Sequence, residues 1–157
     1  MEKKVSDSRT EQTHILMYGD LNGYKRLFGG RLVEWIDVVA GVVARRHCEM
    51  NITTVAIDNL HFKAPAYGNE LLVLLGQMTH VGRTSMEVRV DTFVEHLNGK
   101  RDLVNRAYLV MVALGDDEKP TEVPRLIAET DEEKLEMKNA EKRIAIRKAQ
   151  AAMEDAL

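Results

Sequence analysis

At 157 residues the chain has the length of one domain, enough to bury a sizeable core. Charged residues make up 30% and hydrophobic ones 45%, a balance that marks a soluble globular protein, and the net charge of −3 argues against a nucleic-acid surface. A single cysteine, Cys48, excludes an intrachain disulfide and fits a reducing cytoplasm; the N-terminus lacks the apolar stretch of a secretory signal, and no long uncharged apolar run offers a membrane span.

Residues 1–12 are polar and are expected to fray. Thr13 to Tyr18 reads as a short first strand, and GDLNGYKR, rich in glycine, asparagine and aspartate, as a loop. Asn22 lies there beside Gly23, where the plain reading is a turn former. The loop runs through Phe28-Gly29-Gly30, poor helix material because glycine costs about 1 kcal/mol in a helix interior. From Arg31 to Cys48 the residues are apolar nearly all round, the pattern of a helix buried on every side. Asp37 is the exception. It either joins a surface stripe with Glu34 and Arg45, or it is a carboxylate inside an apolar helix that needs a partner.

Four β-type runs follow. Asn51 to His61 is rich in Thr, Val and Ile; Glu70 to Val81 is apolar with Gly76 as a candidate bulge; Thr84 to Leu97 alternates with period two, which predicts one buried face; Arg101 to Leu114 is a long final strand. Their connections are short: a turn through Pro65 and Gly68, the two-residue joint Gly82-Arg83, and Asn98-Gly99, a strong hairpin signal. Such connections suit antiparallel pairing. After a proline-containing turn at 115–124, Glu129 to Leu157 is a charged helix with a thin apolar stripe of Leu135, Ile144, Ile146 and Met153. The chain therefore divides into a domain at 1–128 and a terminal helix at 129–157. The fold class is α+β, an antiparallel sheet wrapped around a central buried helix. One sheet covers only part of a helix, so a second copy is expected to complete the cover.

The residues also carry a family likeness. An asparagine-bearing loop, then L-F-G-G-R-L-x-E-W-I-D-x-x-A-G, V-A-I-D-x-L-x-F-x-x-P and V-G-R-T-S-M-E-V, closely resembles the hotdog-fold acyl-CoA thioesterases. The subgroup is that of the bacterial acyl-CoA hydrolases and their two-domain animal cytosolic relatives. The match runs from Thr13 to Pro124 and departs at Lys25, where the family pattern often has a glycine. The resemblance implies a dimer with a continuous sheet, often assembled further into a trimer of dimers (a hexamer), with the site at the dimer interface. It implies Asp37 as the acidic residue of that site and Asn22 as an asparagine contributed by the neighbouring protomer. Coenzyme A contacts are implied around Arg83, Thr84 and Ser85, with Arg31, Lys63 and Lys119 as further basic candidates.

The chemistry fits these residue types. Thioester hydrolysis needs a nucleophile and a stabilised oxyanion: Asp37 serves as general base or as nucleophile, and Gly29 and Gly30 place backbone N–H groups at a helix N-terminus, where an oxyanion is favoured. Asn22 would orient the water or polarise the carbonyl. Trp35, Val38 and Val39 are candidates to line an acyl channel. No histidine pair, metal-ligand spacing or nucleotide motif occurs, so no metal and no cofactor is expected beyond the coenzyme A of the substrate. The competing reading is an acyl-CoA-binding or regulatory hotdog protein without activity. A hotdog dehydratase ranks below both, because Phe28 stands where it would want a histidine.

Overall fold

A computed structural model describes residues 1–58 and 60–156. Asn59, inside the strand expected over Asn51 to His61, and Leu157, at the end of the terminal helix, lie outside the described residues. The elements are β1 (Glu2–Lys4), α1 (Val5–Ser8), β2 (Thr10–Ile15), α2 (Gly29–Cys48), β3 (Asn51–Asp58), β4 (Leu71–Val81), β5 (Ser85–Glu95), β6 (Arg101–Leu114), β7 (Arg125–Ile127) and α3 (Asp131–Asp155), with one 3₁₀ turn at Tyr18–Asp20.

Five strands form one antiparallel sheet in the order β2-β4-β5-β6-β3, so β2 and β3 are its edges. Helix α2 packs on its inner face. Leu32, Ile36, Val39, Ala40, Val43 and Ala44 are fully buried against inward residues of β4, β5 and β6, among them Leu72, Leu74, Met86, Val88, Leu109 and Met111. Burial of one such side chain contributes about 1.5–3 kcal/mol. Gly76 is not a bulge but a point of close approach between sheet and helix. A Cβ there would lie 2.8 Å from Val39 Cγ1 and 2.9 Å from Val43 Cγ2, and the register shift of β4 falls instead between Met78 and His80.

Helix α2 is less enclosed than its sequence predicts. Val38 is 48% exposed, and Phe28, Glu34 and Arg45 are exposed as well. One sheet covers one side, and the strip along Val38 is left open. The N-terminus departs in the other direction. Instead of fraying, Glu2–Lys4 pairs in parallel with β7, Val5 and Ser8 are buried, and β2 begins at Thr10, earlier than the Thr13 expected. This order comes from a partner strand over a hundred residues away, which local polarity cannot reveal.

Strand β5 also differs from its alternating pattern. Met86, Val88 and Val90 face α2 as expected, yet Glu87, Arg89 and Asp91 are buried too, at 3%, 7% and 5% exposure. Asp91 is held by Arg106 of β6, and helix α3 covers Glu87 and Arg89. Its first turn is set by a capping box in which the Glu133 N–H donates to Thr130 Oγ1 while Glu133 Oε2 accepts the Thr130 N–H. The face of α3 against the sheet carries Glu136, Ala140, Arg143 and Arg147, whereas Leu135, Ile146 and Met153 of the expected apolar stripe are exposed. The hairpin between β5 and β6 turns where Asn98-Gly99 predicts, with Gly99 at φ +85° and the His96 N–H donating to Lys100 O.

Candidate active site

Asp37 lies two turns into α2, on the side that faces edge strand β3 rather than the sheet's centre. Thr54 Oγ1 donates to Asp37 Oδ1 at 2.7 Å. Both residues are half-buried, and no cation pairs with Asp37 among the described residues. Glu34 is exposed and pairs with Arg31, whereas Asp37 is turned toward Thr54. Thr54 is placed by the period of β3: Ile52, Thr54 and Ala56 turn inward, and the ladder shifts register between Thr54 and Ala56. Sequence reasoning missed Thr54. The available signal was a hydroxyl between Ile52 and Ala56 in the inward row of the strand, opposite a helix with an unpaired carboxylate. With Oδ1 held by Thr54, Oδ2 is the oxygen left for a water or a substrate.

Asn22 belongs to the loop ahead of α2. Its backbone pairs with Arg26, and its Oδ1 accepts the N–H groups of Tyr24 at 2.9 Å and Arg26 at 3.2 Å. The turn-former reading thus holds for the oxygen, while the amide NH₂ points out of this turn as the donor on offer. Lys25 closes the turn at φ 60°, a left-handed conformation that favours glycine. Asn22, Arg26, Leu27, Phe62, Lys63 and Val104 line a cleft of about 250 Å³.

Gly29 and Gly30 open α2 directly beside this loop. Phe28 is the N-cap and supplies no side-chain cap, and its carbonyl is taken by the Arg31 and Leu32 N–H groups, so the N–H groups of Gly29 and Gly30 face outward at the positive helix end. Two phenyl rings flank them. A Cβ on Gly29 would meet Phe62 Cζ at 3.5 Å, and one on Gly30 would meet Phe28 Cε1 at 2.7 Å.

The candidate coenzyme A residues fall at two ends of the protomer. Lys63 shares the cleft of Asn22 near the N-terminus of α2. Arg83, Thr84 and Ser85 form the β4–β5 joint, where Arg83 O accepts the Val123 N–H and the adjacent Pro124 O pairs with His47 Nε2 at the other end of α2. Twenty helical residues separate the two ends, about 30 Å. Arg83 is exposed, whereas Arg31 is engaged by Asp20 and Glu34. Lys119 lies exposed in the turn after β6. Of the acyl-channel candidates, Val39 is spent in the core, Trp35 stacks on His14 with ring centroids 4.0 Å apart, and only Val38 borders the open strip. Among the described residues no group of three or more His, Cys, Asp or Glu is placed to hold a metal ion, and no helix is long and apolar enough to cross a membrane.

This arrangement matches known proteins in sequence and in structure. The model of the thioesterase superfamily matches residues 24–98. An uncharacterized acyl-CoA thioester hydrolase of Bacillus subtilis is 38% identical over 81% of this chain and 74% of its own length. The cytosolic acyl coenzyme A thioester hydrolase of Rattus norvegicus is 33% identical over 83% of this chain, which spans 35% of that longer relative. Among solved structures, the acyl-CoA hydrolase of Staphylococcus aureus, in complex with butyryl coenzyme A, coenzyme A and coenzyme A disulfide, superposes with a TM-score of 0.92 at 30% identity, covering 99% of this chain and 96% of that one. An apo-hexameric acyl-CoA thioesterase superposes at 0.90 with 36% identity, over 96% of this chain and 97% of that one. The staphylococcal hydrolase is also solved as alanine variants of an asparagine, an aspartate and a threonine, spaced along its chain as Asn22, Asp37 and Thr54 are spaced here. By sequence and by fold alike, the chain belongs to the hotdog thioesterase superfamily and, within it, to the acyl-CoA thioester hydrolases.

Proposed function

We propose that this protein hydrolyses acyl-CoA thioesters to free coenzyme A and a carboxylic acid, with Asp37 as general base in a site shared between two protomers. The observation that carries the reading is the Asp37–Thr54 pair, a half-buried carboxylate held by a hydroxyl beside the uncovered strip along Val38. Thr54 fixes the carboxylate, and Asp37 Oδ2 takes a proton from water as the water oxygen attacks the thioester carbonyl carbon. The tetrahedral oxyanion that forms is received by N–H groups at the start of α2 and by the Asn22 amide. Collapse breaks the C–S bond, and the thiolate of coenzyme A leaves and takes up the proton. Protein groups and water suffice for every step.

The need for two protomers follows from helix geometry. Asp37 comes eight residues after Gly29, about 12 Å along the axis, while base and oxyanion donors must both lie about 3 Å from the reacting atoms. One protomer cannot bring its own pair together. A second copy laid along the open strip of α2 and the unpaired edge of β3 would set its Asn22 loop and helix N-terminus against Asp37. The hexameric relative supports further assembly, as a trimer of such dimers. For the substrate's phosphates we favour Arg83, whose guanidinium is exposed and engages phosphate bidentately, supported by Thr84 and Ser85, with Lys63 at the opposite end as the second basic contact. A cytoplasmic site of action agrees with the cytosolic relative.

Thiol release from a panel of acyl-CoAs tests the reading. Wild type is expected to turn over, and folded Asp37→Ala to lose at least about a hundredfold in kcat. Mixing Asp37→Ala with Asn22→Ala under subunit exchange should recover roughly a quarter of wild-type activity, because half the dimers then carry one intact site of two. No recovery would place the site within one protomer. Coenzyme A binding by a wild type that releases no thiol would make the protein a binding module instead.

A further inference from the structure

The loop that carries Asn22 is joined to helix α2 through one charged pair. Arg31, in the first turn of α2, holds Nε 3.3 Å from Asp20 Oδ1. Asp20 is gripped from three other sides. Its Oδ2 accepts the Met17 N–H at 2.9 Å, its carbonyl accepts the Phe28 N–H at 2.9 Å, and its own N–H donates to Met17 O at 2.9 Å. Its side chain is only 16% exposed. Asn22 follows two residues later, and the bond from Phe28 ties the same aspartate to the cap of α2. The distance between the Asn22 amide and the N–H groups of Gly29 and Gly30 is therefore set at Asp20. The other ties of the loop, Asn22 N–H to Arg26 O and Leu27 N–H to Ala66 O, fix its internal shape and its contact with the 62–68 segment. Arg31 is the side chain that joins Asp20 to the body of the helix. Its second contact, Nη1 to Glu34 Oε2 at 3.1 Å, stays within α2.

We propose that Arg31 is a positioning residue of the thioester site: acting through Asp20, it fixes Asn22 relative to the oxyanion donors at Gly29 and Gly30. This role rests on the hydrolase reading given above. Groups that meet the reacting carbonyl are sensitive to small shifts, and a misplacement of about 1 Å can cost up to ~10²-fold in rate. Loss of a positioning residue therefore lowers kcat. Loss of a phosphate contact would instead raise KM, and only for substrates that carry phosphate.

The two roles separate when acyl-CoA is compared with the matching S-acyl-N-acetylcysteamine thioester, which has the same reacting bond and no phosphate. Arg31→Gln and Asp20→Asn are each expected to lower kcat about tenfold, by the same factor on both thioesters, with KM changed less than about twofold. The double variant should be no worse than the poorer single, because the pair acts as one unit. Asp20→Asn keeps an acceptor for the Met17 N–H and serves alone if Arg31→Gln fails to fold. A KM increase confined to acyl-CoA, additive losses, or unchanged kcat in a folded variant would each overturn the role. Failure of the hydrolase reading looks different: the wild type itself would release thiol from neither thioester, and the positioning role would fall with it.

Discussion

Met86, Val88 and Val90 point from β5 into the apolar face of α2, while on the other side of the same strand Glu87 and Arg89 meet α3 and Asp91 pairs with Arg106 of β6. Both rows are buried, yet they are held by different physics. The inner face is stabilised by apolar area and close packing. The outer face is an ionic network: Glu87 accepts from Arg143, Arg147 and Thr79, Arg147 also reaches Asp58, Arg89 and Tyr108 meet Glu136, and the Arg143 guanidinium lies 3.9 Å from the centre of the Tyr108 ring. Apolar packing tolerates loss in proportion to volume. A buried ionic cluster tolerates removal of the whole set far better than removal of one member.

The contrast can be broken from either side. Ile36→Ala, at a fully buried position of α2, should cost about 4 kcal/mol by removing apolar contacts and leaving a cavity, read as a lower urea midpoint. Arg143→Leu should cost about 3 kcal/mol, because the carboxylate of Glu87, 3% exposed, loses its most heavily bonded partner. Replacing Glu87, Arg143 and Arg147 together by methionine should restore most of that loss. If the triple variant is as unstable as Arg143→Leu, the outer face depends on its charges after all.

Acid should separate the histidines from the ionic network by where stability begins to fall. At the C-terminal end of α2, His47 is fully enclosed, and burial pushes its imidazole below the ordinary range, despite its bond to Pro124 O. His14 and His80 are lowered by burial as well. In each case the unfolded state takes up protons first, so stability is complete above about pH 6.5 and is lost as pH falls below it. Burial alone would raise the Glu87 carboxyl, but the bonds from Arg143, Thr79 and Arg147 outweigh it and hold it below the usual carboxylate range. Its contribution is present above about pH 4.5 and is lost only at lower pH. The melting temperature should therefore fall in two stages, and Glu87→Gln should weaken the second, which Glu133 and Asp102 share, while sparing the first. A single stage near pH 4 would show that the buried histidines do not govern the early loss.

The same contrast explains what could be read from the sequence. The inner face was legible because period two in β5 and the apolar run of α2 are local signals, and Asp37 stood out as the carboxylate flanked by Ile36 and Val38 in mid-run. The outer face was not. Charged residues at alternate positions read as solvated, and the apolar residues of α3 drew attention away from its packing side, since the cover comes from more than forty residues downstream. Thr54 was missed for a related reason: a threonine in a strand is ordinary until the helix opposite is known. Asn22, Gly29 and Gly30 were singled out through the motif, but the contacts of Asp20 with Arg31 and Phe28 beside them arise only when the loop is folded.

The smallest expected effect lies outside both faces and isolates the loop. Lys25 adopts φ 60° in the turn that Asn22 opens, a left-handed conformation that favours glycine. A lysine there is strained by its Cβ, whereas glycine takes that conformation freely. Glycine also gives the unfolded chain more freedom, and this offsets part of the relief. Lys25→Gly should thus stabilise the fold by about 0.5–1 kcal/mol, a change of a few degrees in melting temperature at this chain length. Because the bonds from Tyr24 and Arg26 to Asn22 Oδ1 already define the turn, kcat should not move. A gain in stability joined to a fall in kcat would mean that the Lys25 side chain itself meets the substrate. A loss of stability would mean that its aliphatic stem packs on a second protomer, and the lysine would then be a dimer contact rather than a tolerated departure from glycine.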